Sequence, residues 1–193
     1  MSQTTNIMIV GVGGQGTLLA SKLLGEVLIQ KGYDIKVSEV HGMSQRGGSV
    51  VTYVRYGEKV SSPVVETGEA DMILAFELLE AARYLPYLKR GGTLIANTGH
   101  IDPSPVIMGK AEYPENLEEK LAANDIDFIG VDAVKTATEA GSPKAVNVVL
   151  LGVLARQMNF SQQDWKDAIV STVPAKFLDM NLKAFDLSGS CCG

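Results

Sequence analysis

The stretch NIMIVGVGGQGTLLASKLLGEVLIQKG, residues 6–32, constrains the fold of this chain more than any other. Asn6–Val12 is a short apolar run that ends in glycines, and from Thr17 apolar residues recur at helical spacing until Gly32 stops them. Strand, glycine-rich turn and helix in that order open a βαβ arrangement. The turn itself, GVGGQG, fits GxGxxG through Gly11, Gly13 and Gly16. Glycines there let the backbone bend sharply and approach a ligand, while free N–H groups and the helix dipole favour a phosphate. Gly14 and Gln15 add a small residue and an amide that the dinucleotide pattern does not require, and Thr17 opens the helix. Two readings stay open, a nucleotide or phosphate site and purely structural glycines. Glu39 stands where a ribose-binding acid would sit, and also where it could cap the next loop or pair with Arg46.

The pattern then repeats. DIKVSEV and SVVTYVRYG read as strands, ADMILAF as a buried strand, ELLEAARYLPYLKR as a helix disturbed by Pro86, and GGTLIAN as a further strand. After a looser proline-bearing stretch, LEEKLAAN and DIDFIGVD restore helix and strand, and from Asp132 onward the periodicity is mainly helical. Ser142, with Pro143 just inside, and Ser161 are the expected helix caps. These elements predict an α/β, three-layer Rossmann-like fold: a mostly parallel sheet, helices on both faces and a helical C-terminal part. With no internal repeat or convincing linker, 1–193 reads as a single domain, and ligands should approach the carboxyl ends of the strands.

Charge narrows the partners. A net charge of −5 and a pI near 5.1, with no dense basic stripe, argue against capture of nucleic acid or an anionic membrane. No apolar run approaches the ~20 residues of a bilayer-spanning helix, and MSQTTNIMIV lacks the basic start of a secretory signal, so a cytoplasmic location is expected.

The second candidate loop is EVHGMSQRGGSV, residues 39–50. It gathers His41, Ser44, Gln45 and Arg46 on a connection made pliant by Gly47 and Gly48, and such loops bind phosphates, carboxylates or partner chains. His41 has no carboxylate or cysteine beside it in the sequence and is not assigned as a catalytic base. Elsewhere the signals are structural. His100 lacks metal-ligand spacing, Glu77 and Glu80 suit a helix start, Asn147 reads as a buried polar contact and Trp165 as core or interface. Cys191 and Cys192, adjacent in the tail SGSCCG, give no spacing for zinc or an iron–sulfur cluster and receive no role. No nucleophile elbow, Walker loop or thiamine-type acidic magnesium motif is found, so the chain lacks a complete active site of its own.

In this order GVGGQG, EVHGMSQRGGSV, EADMILAFELLEAARYLPYLKRGG, NVVLLGVLA and NLKAFDL resemble the gamma-type subunit of 2-oxoacid:ferredoxin oxidoreductases, and in particular the indolepyruvate branch. The resemblance runs from Asn6 to about Leu187, and HGMSQRGGSV is its most specific segment. It implies a large companion subunit that holds thiamine diphosphate, magnesium and the iron–sulfur clusters, decarboxylates an aryl pyruvate and passes electrons to ferredoxin, while coenzyme A takes the acyl group. Pyruvate, 2-oxoisovalerate and 2-oxoglutarate are the alternative substrates. The site residues expected on this chain are Gly11, Gly13, Gly14, Gln15, Gly16 and Thr17 in the first loop, with His41, Ser44, Gln45, Arg46, Gly47 and Gly48 in the second, bordering coenzyme A or the thiamine intermediate. In isolation the chain is expected to self-associate through apolar surface meant for its companion. A stand-alone NAD(P)-binding oxidoreductase and a nucleotide-sensing regulatory module are the rival classes; either would bind its ligand without a partner.

Overall fold

A computed structural model describes residues 4–41 and 47–191. Strand β1 (Thr5–Val12) leads through the glycine turn into α1 (Thr17–Gln30), and β2 (Asp34–His41) and β3 (Ser49–Gly57) follow. Next come β4 (Ala70–Ala75), α2 (Leu78–Tyr84), β5 (Leu88–Asn97), the short α3 (Ser104–Ile107), α4 (Leu117–Ala122) and β6 (Asp127–Val131). The C-terminal part is helical, with α5 (Ala133–Ala140), α6 (Val146–Arg156), α7 (Gln162–Thr172) and α8 (Leu178–Leu187).

The six strands form one sheet in the order β2-β3-β1-β4-β5-β6. β1, β4, β5 and β6 pair in parallel, whereas β3 pairs antiparallel with both β1 and β2. β3 alone therefore runs against the other strands of a mostly parallel sheet, and the β2–β3 connection starts and ends at the edge where β1, β4 and β5 finish.

Alternation along each strand divides the core into two layers. Ile7, Ile9, Leu74, Phe76 and Ile95 point toward α1 and the C-terminal helices. Met8, Val10, Ile73, Ala75 and Leu94 point the other way, under α2 and α4. Helix α6 is buried along most of its length, in keeping with its apolar sequence, and Trp165 of α7 lies in the same layer. Both serine caps form: Ser161 makes a reciprocal capping box with Asp164, and the Ser142 hydroxyl accepts from the Lys144 N–H in the tight turn that enters α6.

One element differs from its sequence reading. The helix expected to reach Arg90 ends in a 3-10 turn at Leu85–Tyr87, and Leu88–Arg90 already belong to β5. Pro86 cannot donate to a continuing helix, and its carbonyl instead accepts from the Gly68 N–H. Leu88 pairs with Ala70, and a bulge then shifts the register so that Thr93 faces Met72.

The seam between α6 and the segment after α8 is close-packed at Gly152, where a β-carbon would lie 2.1 Å from Ser188 Oγ and 2.8 Å from its Cβ. Ser188 is itself fully buried. Gly152→Ala is expected to cost about 2 kcal/mol through overpacking, read as a melting temperature lower by about 4–8 °C; an unchanged value would show that the Ser188 segment can shift without penalty.

Candidate functional site

At the carboxyl edge of the sheet β1 ends and the chain turns through Gly13–Gly16 into α1. Gly16 is the N-cap at φ +89°, and a β-carbon there would meet Asn147 Nδ2 of α6 at 2.8 Å. Gly11 lies within β1, and its β-carbon would meet Gln15 Oε1 at 2.8 Å and Phe76 Cβ at 2.9 Å. Two glycines of the pattern are thus required by packing alone. Gly11, being buried inside the ladder, does not reach the surface.

Gln15 turns its amide inward. The Val12 N–H donates to its Oε1 at 2.7 Å, and its Nε2 donates to the Phe76 carbonyl at 3.0 Å. Asn97 Nδ2 donates to the same carbonyl at 3.2 Å, while the Ala133 N–H donates to Asn97 Oδ1 at 3.2 Å. These two amides weld the ends of β1, β4 and β5 to the start of α5.

The second loop joins the first. The Gly13 N–H donates to the Gly48 carbonyl at 2.8 Å, and the Gly47 N–H donates to the Gly13 carbonyl at 3.2 Å. Below this junction the Ser49 hydroxyl donates to the Glu80 carboxylate and lies 3.5 Å from Tyr84 Oη. His41 ends β2 opposite Val50 through its main chain. Ser44, Gln45 and Arg46, and the proposed pairing of Arg46 with Glu39, lie outside the described residues. Glu39 accepts from the Ser21 hydroxyl of α1 at 3.3 Å.

Sequence reasoning missed the roles of Glu77 and Glu80, which are 1% and 4% exposed. Glu77 does cap α2, accepting from the Glu80 N–H at 3.0 Å. It also accepts from the Tyr113 hydroxyl and from the Ile101 N–H at 3.4 Å, fastening the segment after β5 to the end of β4. Burial, and next the hydrogen bond to Glu77, raise the Tyr113 pKa, so its phenol stays protonated and donating at neutral pH. The available signal was position, because Glu77 follows the apolar run MILAF, residues 72–76, with no polar spacer. His100, exposed as expected, stacks on Tyr113 at 4.6 Å and approaches Asp102 at 3.7 Å.

Beside the first loop opens a cleft of about 440 Å³ whose walls include Gly14, Gln15, Gly16, His100, Ile101 and Lys144. The starts of α1, α5 and α6 all border it, through Gly16, Val134 and Val146. Converging positive dipole ends, with Lys144 at the wall, suit an anionic group, while Ile101 and Val134 offer apolar contact. Among the described residues no group of three or more His, Cys, Asp or Glu side chains could hold a metal ion, and no helix is long and apolar enough to cross a membrane.

Residues 6–190 match the pyruvate ferredoxin/flavodoxin oxidoreductase family. The chain belongs to this family. It is 48% identical over 188 residues to indolepyruvate oxidoreductase subunit IorB of Thermococcus kodakarensis, covering 94% of this chain and 93% of that relative. Its fold is shared with the gamma subunit of a keto/oxoacid ferredoxin oxidoreductase from Geobacter sulfurreducens, with a TM-score of 0.73, 24% identity, and coverage of 97% and 98% of the two chains. It is shared also with the 2-oxoglutarate:ferredoxin oxidoreductase of Magnetococcus marinus, solved with 2-oxoglutarate, coenzyme A and succinyl-CoA bound. There the TM-score is 0.75 at 19% identity, and the match spans 100% of this chain and 31% of the longer one. The same fold thus spans a whole chain in one structure and a segment of a longer chain in the other.

Burial raises the Glu80 pKa above the ordinary carboxylate value, against the lowering pull of Ser49 and Arg83. A carboxyl raised on folding stabilises the fold fully below its unfolded pKa, and that contribution is lost as pH rises through the folded value. Glu80→Gln fixes a neutral side chain and is expected to flatten this limb. Its urea midpoint should change less than that of the parent protein between acidic and neutral pH, and parallel curves would remove Glu80 as the titrating group.

Proposed function

We propose that this chain is the small subunit of an indolepyruvate-type 2-oxoacid:ferredoxin oxidoreductase. The observation that carries the reading is the 48% identity to an indolepyruvate oxidoreductase subunit along nearly the whole length of both chains. In the reaction an aryl pyruvate loses carbon dioxide, its acyl group forms a thioester with the sulfur of coenzyme A, and the released electron pair passes to ferredoxin. Thiamine diphosphate with magnesium supplies the decarboxylation chemistry and iron–sulfur clusters the electron path. The donor set of this chain fits neither group. Its two cysteines are adjacent at the tail, and the buried carboxylates of Glu77 and Glu80 are bonded within the fold. Those groups belong to the companion subunit.

The share of this chain is a wall of the cleft for coenzyme A. Backbone groups of Gly14, Gln15 and Gly16, at the start of α1, border the anionic end, and Lys144 adds a cation; Gly13 holds the loop junction behind them, and Thr17 opens the helix. Ser44, Gln45 and Arg46, by residue type, supply polar and cationic contacts to the same ligand. The Magnetococcus enzyme, a segment of which shares this fold, was solved with coenzyme A bound.

Purification of this chain with whatever accompanies it at native expression level tests the reading. A brown, thiamine-containing complex that reduces dye with indolepyruvate and coenzyme A is expected; a colourless lone chain that binds NAD(P) would overturn it. Within that complex Arg46→Ala is expected to raise the KM for coenzyme A about tenfold or more, the value of one charged hydrogen bond. An unchanged KM would make the second loop structural.

A further inference from the structure

The helix that follows β4 needs one carboxylate at its start and has two. Glu77 is the N-cap and accepts the Glu80 N–H, so the electrostatics of the helix end are already served. Glu80 instead sends a nearly buried carboxylate away from the helix, to the Ser49 hydroxyl, with Arg83 Nε 3.4 Å from its other oxygen. Burying a carboxylate is costly unless it is bonded in a defined geometry, and any good helix former would satisfy α2 at that position without the cost.

What the bond secures is the last rung of the sheet. Ser49 pairs with Val12 at the end of the β1–β3 ladder, and immediately beyond it Gly48 and Gly47 exchange hydrogen bonds with Gly13. Glycines supply no side chains to hold that crossing, so it depends on main-chain bonds at a ladder end, where local opening costs least. Anchoring Ser49 from below removes that freedom. Tyr84 Oη, 3.5 Å from the same hydroxyl, closes the group on the third side.

We propose that Glu80 is a positioning residue for the shared site, acting through the Ser49 hydroxyl to fix the crossing where the two glycine-rich loops meet. The inference rests on the reading that these loops wall the coenzyme A cleft. Loss of the anchor lets the crossing fray and the two loops separate, which weakens coenzyme A binding and leaves the 2-oxoacid and the chemistry on the companion subunit untouched.

The test uses the assembled complex carrying Ser49→Ala, Glu80→Ala, both together, or Glu80→Gln. Each single truncation is expected to raise the KM for coenzyme A about tenfold, and the double variant no further than the larger single, since both remove one interaction. The 2-oxoacid KM and the kcat at saturating coenzyme A should stay within about twofold, and Glu80→Gln, which keeps an acceptor oxygen, should restore most of the affinity. Hydrogen exchange on the same complexes should show faster exchange at the Gly13 and Gly47 amides in Ser49→Ala and Glu80→Ala. Unchanged exchange, additive KM effects or an equal rise in the KM for the 2-oxoacid would overturn the role of Glu80. If exchange rises while the coenzyme A KM does not, Arg46→Ala separates the two failures. A raised KM in that variant removes the Glu80 role alone, and an unchanged one removes the reading of the cleft as well.

Discussion

The carbonyl of Phe76 holds the carboxyl edge of this protein together. It receives the amides of Gln15 and Asn97, each of which uses its own oxygen to take a main-chain N–H, from Val12 and from Ala133. Amides satisfied at both ends, one buried and one partly buried, are directional restraints, and here they tie the ends of three strands and one helix start to a single atom. The glycine turn can expose its backbone because its one long side chain is spent on this clasp.

The next residues of the same strand end extend the arrangement. Glu77 reaches forward to Tyr113 and Ile101, and Glu80 reaches back to Ser49, so that Phe76–Glu80 fastens three separate segments around the cleft. None of these side chains has chemistry to offer a substrate. They form a bonded backing beneath the glycine turn and the junction at residues 47–49, in keeping with the usual division between scaffold and loop.

Much of this fold was legible in the sequence. Periodicity separated strands from helices, Gly32 and Ser161 marked helix ends, and the glycine turn fell at a strand end as its pattern demanded. The boundary at Leu88 was not, because a helix broken by proline and the start of an edge-to-core strand share the same apolar residues over a few positions. The supports behind the glycine-rich loops were not legible. Glu77 finds Tyr113 at a separation of 36 residues and Glu80 finds Ser49 at 31, and pairings over such distances leave no local periodicity to read. Their places beside an apolar strand indicated burial, but the partners came from topology. Gln15 showed the converse, a polar residue in a binding-type loop whose side chain serves the interior.

The reversal of β3 bears on how such a subunit can diversify. Because β2 and β3 run antiparallel, their connection is a hairpin tip and not a crossover threaded past helices. The ladder from Asp34 opposite Gly57 to His41 opposite Val50 sets the register on its own, so the tip can gain, lose or exchange residues without moving the core. Lengthening a loop costs only logarithmically in closure entropy. A lineage could therefore exchange residues at one hairpin by editing a few codons, leaving the sheet and its amide clasp as inherited.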